Sequence, residues 1–313
     1  MPLIVNKKLP AYEKLKKELV SEISAERARK QDIRPLEIGI LNLMPAATVE
    51  RTETQFLRLL ANTPLQIKPT LIYFDKHKSS KQDHFDAFYR SISEVKKSGL
   101  DGLIITGGNL ESHKFEDIFF WNELTDFFDW AHKHVTSTVY ACWAAQAELY
   151  HSHGIQPHVY KKKIFGVFEH EVKNLLNSPF TAGMDDHIFV PHARRRGIES
   201  KDIRGKDAFE ILIESKEVGP HLIVGRKGRD LYIQGHQEYD RNDIAGEYAR
   251  DTQTGIAISF PKNYFPDDDD TKVPVKNWGA NAQVLYANWI NWIYQTTNFE
   301  VKKPLMEKND RST

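Results

Sequence analysis

The N-terminal half of the chain alternates between short apolar segments and helical segments. Apolar segments with the length of buried strands lie at 36–43, 67–74, 102–106 and 137–141. Helical patterns lie between them at 52–61, 84–97 and 119–134. Short apolar strands separated by helices indicate a parallel sheet covered on both faces, and right-handed crossovers make such a sheet doubly wound. The sequence therefore predicts an α/β fold with a mostly parallel, flavodoxin-like sheet.

The pattern divides the chain into three parts. Residues 1–35 are predicted to form a charged helical arm, with Leu15, Leu19 and Ile23 on one face. Residues 36–298 are predicted to form a single domain, whose later strands lie at 164–172, 209–214, 221–224 and 231–234. Residues 299–313 are a charged tail. The amphipathic arm and the tryptophan-rich last helix are compatible with a homodimer.

Charge and hydropathy exclude several classes of partner. The chain has 43 basic and 43 acidic residues, so it has no global electrostatic attraction to nucleic acid or to an anionic membrane. No apolar run approaches the roughly 20 residues that a bilayer requires. The N-terminal segment lacks the apolar core of a secretory signal, which predicts a cytoplasmic protein whose partners are small molecules.

The chain has one cysteine, Cys142, which excludes an internal disulfide and a thiolate metal cage. Cys142 lies where a predicted strand ends and a helix begins, next to Ala141, Ala144 and Ala145. Small neighbours suit a sharp strand–turn–helix that exposes a nucleophile, and the amino end of a helix favours a thiolate. A lone cysteine is more often an inert buried residue. Its position at the ligand-binding edge of a parallel sheet favours the catalytic interpretation here.

Two further strand ends carry residues that suit acyl chemistry. His236 and Glu238 follow the strand at 231–234, and Glu238 can orient the imidazole, which completes a nucleophile, a base and an orienting acid. Gly107 and Gly108 follow the strand at 102–106 and can offer a backbone donor to an oxyanion. Each pattern alone is weak, because surface ion pairs and ordinary turns produce the same residues.

Other clusters are weaker, and no metal site is predicted. His151, His153 and His158 have no carboxylate spaced to complete a metal site, so a polar loop is favoured. The acidic run 267–270 lacks the alternation of a calcium loop and is interpreted as a solvated loop. The basic cluster 192–196 suits either a solvated loop, which is slightly favoured, or the steering of a phosphorylated co-substrate such as coenzyme A.

Motifs along nearly the whole chain, from about residue 2 to residue 294, resemble one family. They include the segments 41–45 (LNLMP), 52–56 (TETQF), 62–66 (NTPLQ), 141–144 (ACWA), 166–170 (GVFEH), 235–240 (GHQEYD) and 263–266 (NYFP). Together these segments resemble the homoserine O-acyltransferases of the homoserine transsuccinylase type. The resemblance implies a fold like that of the class I glutamine amidotransferases, with a Cys-His-Glu triad.

The resemblance implies a role for several residues. Cys142 resembles the acyl-thioester nucleophile, His236 the general base and Glu238 the residue that orients it. Lys163 and Arg250 match substrate-binding positions, where their charge suits the carboxylate of an amino-acid acceptor. Ping-pong transfer is implied, with acyl-CoA as co-substrate, no permanently bound cofactor, and oxyanion donors in the backbone near Gly108 and Trp143.

Substrate preference depends on positions where family members differ. Members with glycine at the position of Glu111 resemble succinyltransferases, and members with glutamate resemble acetyltransferases. Glu111 would fill the space of a succinyl carboxylate and repel its charge, which predicts acetyl-CoA. The segment 46–51 lacks the lysines usual after Met44-Pro45, and Ala193 replaces a serine tied to acceptor recognition. These two departures favour L-serine narrowly over L-homoserine, although one methylene group gives weak discrimination.

Three rival functions remain at this point, of which a cysteine peptidase or hydrolase of similar fold is less favoured than a glutamine amidotransferase. A glutamine amidotransferase normally has glycine two residues on either side of the cysteine, where this chain has Tyr140 and Ala144. A non-catalytic ligand-binding module would normally lack a member of the triad, and none is missing.

Overall fold

The computed structural model describes residues 3–20, 22–31, 33–75, 80–110, 113–173, 177–255 and 258–297. Its strands are β1 (Leu36–Leu41), β2 (Ile67–Tyr73), β3 (Tyr89–Ser91), β4 (Gly102–Ile105), β5 (Ser137–Ala141), β6 (His158–Val172), β7 (His187–Gly197), β8 (Phe209–Ser215), β9 (Gly219–Gly225) and β10 (Asp230–Ile233). Its helices are α1 (Pro10–Lys17), α2 (Ala25–Arg29), α3 (Val49–Leu60), α4 (Gln82–Phe88), α5 (Ile92–Ser98), α6 (Trp121–His134), α7 (Trp143–His153), α8 (Ser200–Ile203), α9 (Asp243–Gln253) and α10 (Gly279–Thr296).

These strands form one sheet in the order β3-β2-β1-β4-β5-β10-β9-β8-β6-β7. The strands from β3 to β10 in that order are parallel, and β9, β8, β6 and β7 extend the sheet in antiparallel pairing. The prediction of a doubly wound, mostly parallel sheet is confirmed. The chain leaves β1 for β2 on one side and later adds β4 on the other side. Ligands bind at such a switch point, outside the carboxyl ends of the strands.

The parallel strands are apolar along their length because both faces of the sheet are covered. Ile38 and Ile40 of β1 contact one core with Phe56 of α3 and Trp289 of α10. Residues of β4, β5, α6 and α7 form the core on the opposite face. This double burial explains why the strands appear in the sequence as nearly continuous apolar runs.

The N-terminal arm differs from the single amphipathic helix that its periodicity predicts. α1 ends at Lys17, and Leu19 adopts a left-handed φ of 59° with its side chain 91% exposed. Leu15 and Ile23 are buried as predicted, and the backbone N–H of Ile23 donates to the Leu3 carbonyl at 3.0 Å. The turn at Leu19 reverses the chain, so that Leu3 lies in bridge pairing with Ile67 of β2.

Two other elements differ from the sequence interpretation. The segment predicted as one helix at 84–97 contains α4, β3 and α5, because Ser91 forms a capping box with Glu94 and starts a new helix. The edge strand β7 has no counterpart among the predicted strands. Its sequence contains Pro191 and three arginines, which hide the alternation of a strand.

No helix in the described part of the chain combines the length and the apolar character needed to cross a bilayer.

Candidate active site

Cys142 lies at the carboxyl end of β5, directly before α7. Its backbone has φ 48° and ψ −107°, a conformation that a residue with a side chain adopts only at a cost. The Cys142 N–H donates a hydrogen bond of 2.6 Å to the carbonyl of Ile233, the last residue of β10. This sharp turn matches the strand–turn–helix geometry that presents a nucleophile above a parallel sheet.

His236 follows β10, so the parallel pairing of β5 with β10 brings it beside Cys142. A Cβ on Gly107 would lie 3.3 Å from the Cβ of Cys142 and 3.8 Å from Cε1 of His236, so the two side chains are adjacent. Nδ1 of His236 lies 2.7 Å from Oε1 of Glu238. Burial disfavours the charged imidazole, but the Cys142 thiolate and the Glu238 carboxylate outweigh it and raise the pKa of His236 well above its usual value. The surroundings of His236 therefore favour the protonated imidazole.

The backbone around His236 is fixed by the antiparallel part of the sheet. Its N–H donates to the Pro191 carbonyl of β7 at 2.7 Å, and the preceding Gly235 N–H donates to Nδ1 of His221 at 3.1 Å. A Cβ on Gly235 would lie 2.4 Å from a methyl carbon of Val190, so only glycine fits. The close approach of β7 thus sets the position of the imidazole.

Backbone groups suitable for an oxyanion lie around Cys142. Trp143 is the first residue of α7, where a backbone N–H has no carbonyl partner within its own helix. Gly107 follows β4, and a Cβ there would lie 3.3 Å from the Cβ of Cys142. Gly108 is the next residue and lines the same cavity.

A cavity of about 390 Å³ opens above the carboxyl ends of β1, β4, β5 and β10. Residues predicted as site residues that line it are Gly108, Cys142, Lys163, Ala193, His236, Glu238 and Arg250. The structure therefore brings these residues together, although they come from distant parts of the sequence. Glu111 lies outside the described residues.

Lys163 and Arg250 are held by ion pairs with two acids of α9. The Lys163 ammonium lies 2.9 Å from Glu247 and 3.4 Å from Asp251, and Arg250 donates to Asp251 at 2.7 Å and 2.9 Å. The pKa of Asp251 is lowered, because the bonds and charges of Arg250 and Lys163 outweigh its burial. Two cations face two anions, which suits a zwitterionic ligand such as an amino acid.

The basic cluster 192–196 lies in β7 and is not the solvated loop that the sequence slightly favours. Arg194 is fully buried and donates to Nδ1 of His192 at 3.2 Å, and Arg196 lies over the Phe115 ring at 4.8 Å. Arg195 lines the cavity. The cluster is split because alternate residues of β7 face opposite sides of the sheet.

The other polar clusters lie apart from the cavity. His151 is 3.1 Å from Asp129, and His158 is 2.9 Å from Asp202. Within the described ranges, no group of three or more histidine, cysteine, aspartate or glutamate side chains is arranged to hold a metal ion.

Tyr239, Glu247 and Asp251 are among the cavity residues that the sequence does not predict as site residues. Tyr239 stacks on the His236 ring with centroids 4.3 Å apart. The spacing of Glu247 and Asp251 by four residues on α9 was the available signal, since such residues share one helix face.

Comparison with known proteins identifies the family. Residues 2–299 match the homoserine O-succinyltransferase family. The chain is 45% identical over 304 residues to the homoserine O-acetyltransferase of Petrotoga mobilis, covering 96% of this chain and 97% of that protein. It is 44% identical over 306 residues to the enzyme of the same name from Azobacteroides pseudotrichonymphae, covering 97% and 96%.

Solved structures show the same fold at low sequence identity. A glutamine amidotransferase from Methylobacillus flagellatus aligns with a TM-score of 0.52 at 12% identity, covering 83% of this chain and 95% of that one. A glutamine amidotransferase from Thermotoga maritima aligns at 0.50 and 11% identity, covering 83% and 99%. The fold is that of the class I glutamine amidotransferases, and the chain belongs to the homoserine O-succinyltransferase family.

Proposed function

We propose that this protein is an O-acetyltransferase that moves an acetyl group from acetyl-CoA through Cys142 to the side-chain hydroxyl of L-homoserine. The observation that carries the proposal is the position of Cys142 next to His236, whose Nδ1 lies 2.7 Å from Oε1 of Glu238. The names of the relatives at 44–45% identity support both the acetyl donor and the homoserine acceptor.

In the first half-reaction, the Cys142 thiolate attacks the thioester carbonyl carbon, and a C–S bond forms. The carbonyl oxygen gains the negative charge and accepts hydrogen bonds from the backbone N–H groups of Trp143 and Gly108. When the intermediate collapses, the bond to the CoA sulfur breaks and the proton of His236 goes to the departing thiolate. The products are acetyl-Cys142, neutral His236 and free CoA.

Acetylation changes the electrostatics of the base. The Cys142 thiolate is one of the charges that raise the pKa of His236, and the thioester carries no charge. Without that charge the pKa of His236 falls, so the imidazole stays neutral after CoA has left. The neutral ring can then accept the proton of the acceptor hydroxyl. The hydroxyl oxygen then attacks the acetyl carbon, the thiolate leaves, and His236 again holds the proton.

The acceptor site proposed here is the ion-pair network beside the imidazole. Lys163 and Arg250 suit the acceptor carboxylate, and Glu247 and Asp251 suit its ammonium group. Acetyl-CoA is a co-substrate in this mechanism, and the proposal includes no permanently bound cofactor.

The choice of acetyl over succinyl rests on Glu111 and on the relatives' names. Glu111→Gly should raise the rate with succinyl-CoA relative to acetyl-CoA, since it removes a charge that repels the second carboxylate. An unchanged ratio would leave Glu111 without a role in acyl selection.

L-Serine is a second candidate acceptor. The observation that favours it is Ala193, which lines the cavity where the family pattern has serine. The sequence interpretation preferred serine narrowly, and the relatives give that preference no support. Rates with the two amino acids measured side by side decide between them.

Mass spectrometry of the intact protein after incubation with acetyl-CoA alone tests the central step. The protein should gain one acetyl group, located on Cys142 by peptide mapping, and L-homoserine should remove it as O-acetylhomoserine. Cys142→Ala is the control that should gain none. An unmodified wild-type protein that still transfers acetyl would contradict the acyl-cysteine route.

A further inference from the structure

Tyr239 lies between the two halves of the site. Its ring stacks on the His236 imidazole at 4.3 Å between centroids, with 16° between the ring planes. Its hydroxyl donates a hydrogen bond of 2.8 Å to Oε1 of Glu247. The other carboxylate oxygen of Glu247 accepts from Lys163 at 2.9 Å. One side chain therefore contacts both the base and the ion pairs of the acceptor site.

We propose that Tyr239 is a positioning residue that couples acceptor binding to the orientation of the His236 imidazole. This inference rests on the proposed function, because it assigns a role within the second half-reaction. The ring of Tyr239 contacts the imidazole, and its hydroxyl contacts the acceptor site.

The coupling follows from how the imidazole is held. Glu238 fixes one edge of the ring at Nδ1, and Tyr239 covers one face. A ring fixed at one edge can still rotate about that contact, so the stacked phenol restricts the tilt that remains. Tyr239 is itself fixed, because the Trp278 indole N–H donates to its carbonyl at 2.9 Å.

The acceptor must rearrange the network that holds the Tyr239 hydroxyl. Lys163 is paired with Glu247 and Asp251, and its side chain is only 8% exposed. A zwitterion that enters this network replaces some of the existing ion pairs with pairs to its own carboxylate and ammonium groups. Glu247 belongs to these ion pairs and also accepts the hydrogen bond from the Tyr239 hydroxyl. Acceptor binding thereby changes the hydrogen bond between Tyr239 and Glu247, which is the tether of the ring that covers His236.

The donor half-reaction does not use this tether. Acetyl-CoA reacts with Cys142, and the proton comes from an imidazole already oriented by Glu238 and the thiolate. The hydroxyl of Tyr239 should therefore matter for acceptor transfer and not for acetylation, whereas the ring should matter for both. This difference separates coupling from a general structural role.

The experiment measures both half-reactions in Tyr239→Phe and Tyr239→Leu. Tyr239→Phe should form acetyl-Cys142 within about 2-fold of the wild-type rate, and its kcat/KM for L-homoserine should fall about 10-fold or more, because a hydrogen bond to a charged group is lost. Tyr239→Leu should slow both half-reactions, because the stacked ring is lost.

A double-mutant cycle with Glu247→Gln tests whether the hydroxyl acts through that acid. In the Glu247→Gln background, Tyr239→Phe should cost much less than in the wild type, since the partner carboxylate is already gone. Tyr294→Phe is the matched control, because its side chain is exposed on α10 and lies outside the cavity lining. It should change neither half-reaction.

Equal slowing of both half-reactions by Tyr239→Phe would overturn the coupling, as would additive effects in the cycle. Unchanged acceptor kinetics in Tyr239→Phe would also overturn it. A wild-type protein that transfers acetyl without forming acetyl-Cys142 would instead refute the proposed route, and the inference with it.

Discussion

The backbone N–H of Gly235 donates a hydrogen bond of 3.1 Å to Nδ1 of His221, a fully buried side chain. Two more buried histidines lie beside it, His170 and His192, whose Nε2 atoms are 3.2 Å apart. Arg194 donates to the other nitrogen of His192 at 3.2 Å. Neutral imidazoles thus support the segment that carries His236, the proposed general base.

These histidines predict acid sensitivity. Burial, with the nearby Arg194 charge, lowers the pKa of His170 from 6.5 to about 4, and burial chiefly lowers that of His221 to about 3. Below pH 6.5 these histidines bind protons in the unfolded chain but stay neutral in the folded protein. The free energy of unfolding should therefore fall as the pH falls toward 4. Each histidine contributes a slope of up to about 1.4 kcal/mol per pH unit.

Urea denaturation between pH 6.5 and pH 4 measures this slope. In His170→Leu the unfolded chain binds about one proton fewer in this range, so the free energy of unfolding should depend less steeply on pH. This holds whatever the stability of the variant at neutral pH. A denaturation midpoint that does not change over this interval would contradict the prediction.

The backbone strain at Cys142 predicts that replacing this residue with glycine raises stability while it abolishes activity. Cys142→Gly and Cys142→Ala should both lose acetyl transfer and both fold, because the single cysteine forms no internal disulfide. With φ at 48°, the glycine variant should be more stable than the alanine variant by about 1 kcal/mol. Chemical denaturation of the two variants provides the comparison, and equal stabilities would show that the turn relaxes without cost.

Removing the charge of Glu238 should affect both rate and pH dependence. In Glu238→Gln the imidazolium loses a stabilising charge, so the pKa of His236 should fall. The alkaline limb of acetyl-Cys142 formation should then move to lower pH, and kcat/KM for acetyl-CoA should fall about 10²–10⁴-fold. Single-turnover rates across pH test this. Glu217→Gln, which alters an exposed ion pair with Lys262, is the control.

The residue at position 193 should influence acceptor choice. Ala193→Ser adds a hydroxyl group to the cavity wall, and we expect it to shift the ratio of kcat/KM toward L-homoserine over L-serine by about 3- to 10-fold. Initial rates with both acceptors at fixed acetyl-CoA measure the ratio. Ala182→Ser, an exposed substitution of the same type, should leave it unchanged. A shift toward serine would exclude the proposed contact.

The meeting of Cys142, Gly107 and His236 at one edge of the sheet could be predicted, because strand ends are visible in a sequence. Cys142, Gly107 and His236 each follow a short apolar run, and parallel strands bring their carboxyl ends to one edge. The roles proposed for these residues, the homodimer and the domain boundaries at 35 and 298 stay predictions.

Other features depend on tertiary contacts that the local sequence does not show. Arg194 resembles a surface cation in the sequence, yet carbonyl oxygens, a phenol and an imidazole satisfy its guanidinium inside the protein. Tyr239 and Glu247 are eight residues apart, and only the direction of α9 brings them together. The left-handed turn at Leu19 interrupts an otherwise regular helical periodicity.

The hydrogen bond from Cys142 to the carbonyl of Ile233 has an evolutionary consequence. It joins the end of β5, where the proposed nucleophile lies, to the end of β10, which the proposed base follows. Ala193 lies on β7 and Arg250 on α9, so substitutions at these positions leave the hydrogen bond between Cys142 and Ile233 intact. A scaffold built in this way can acquire a new donor or acceptor by point mutation while inheriting its reaction unchanged.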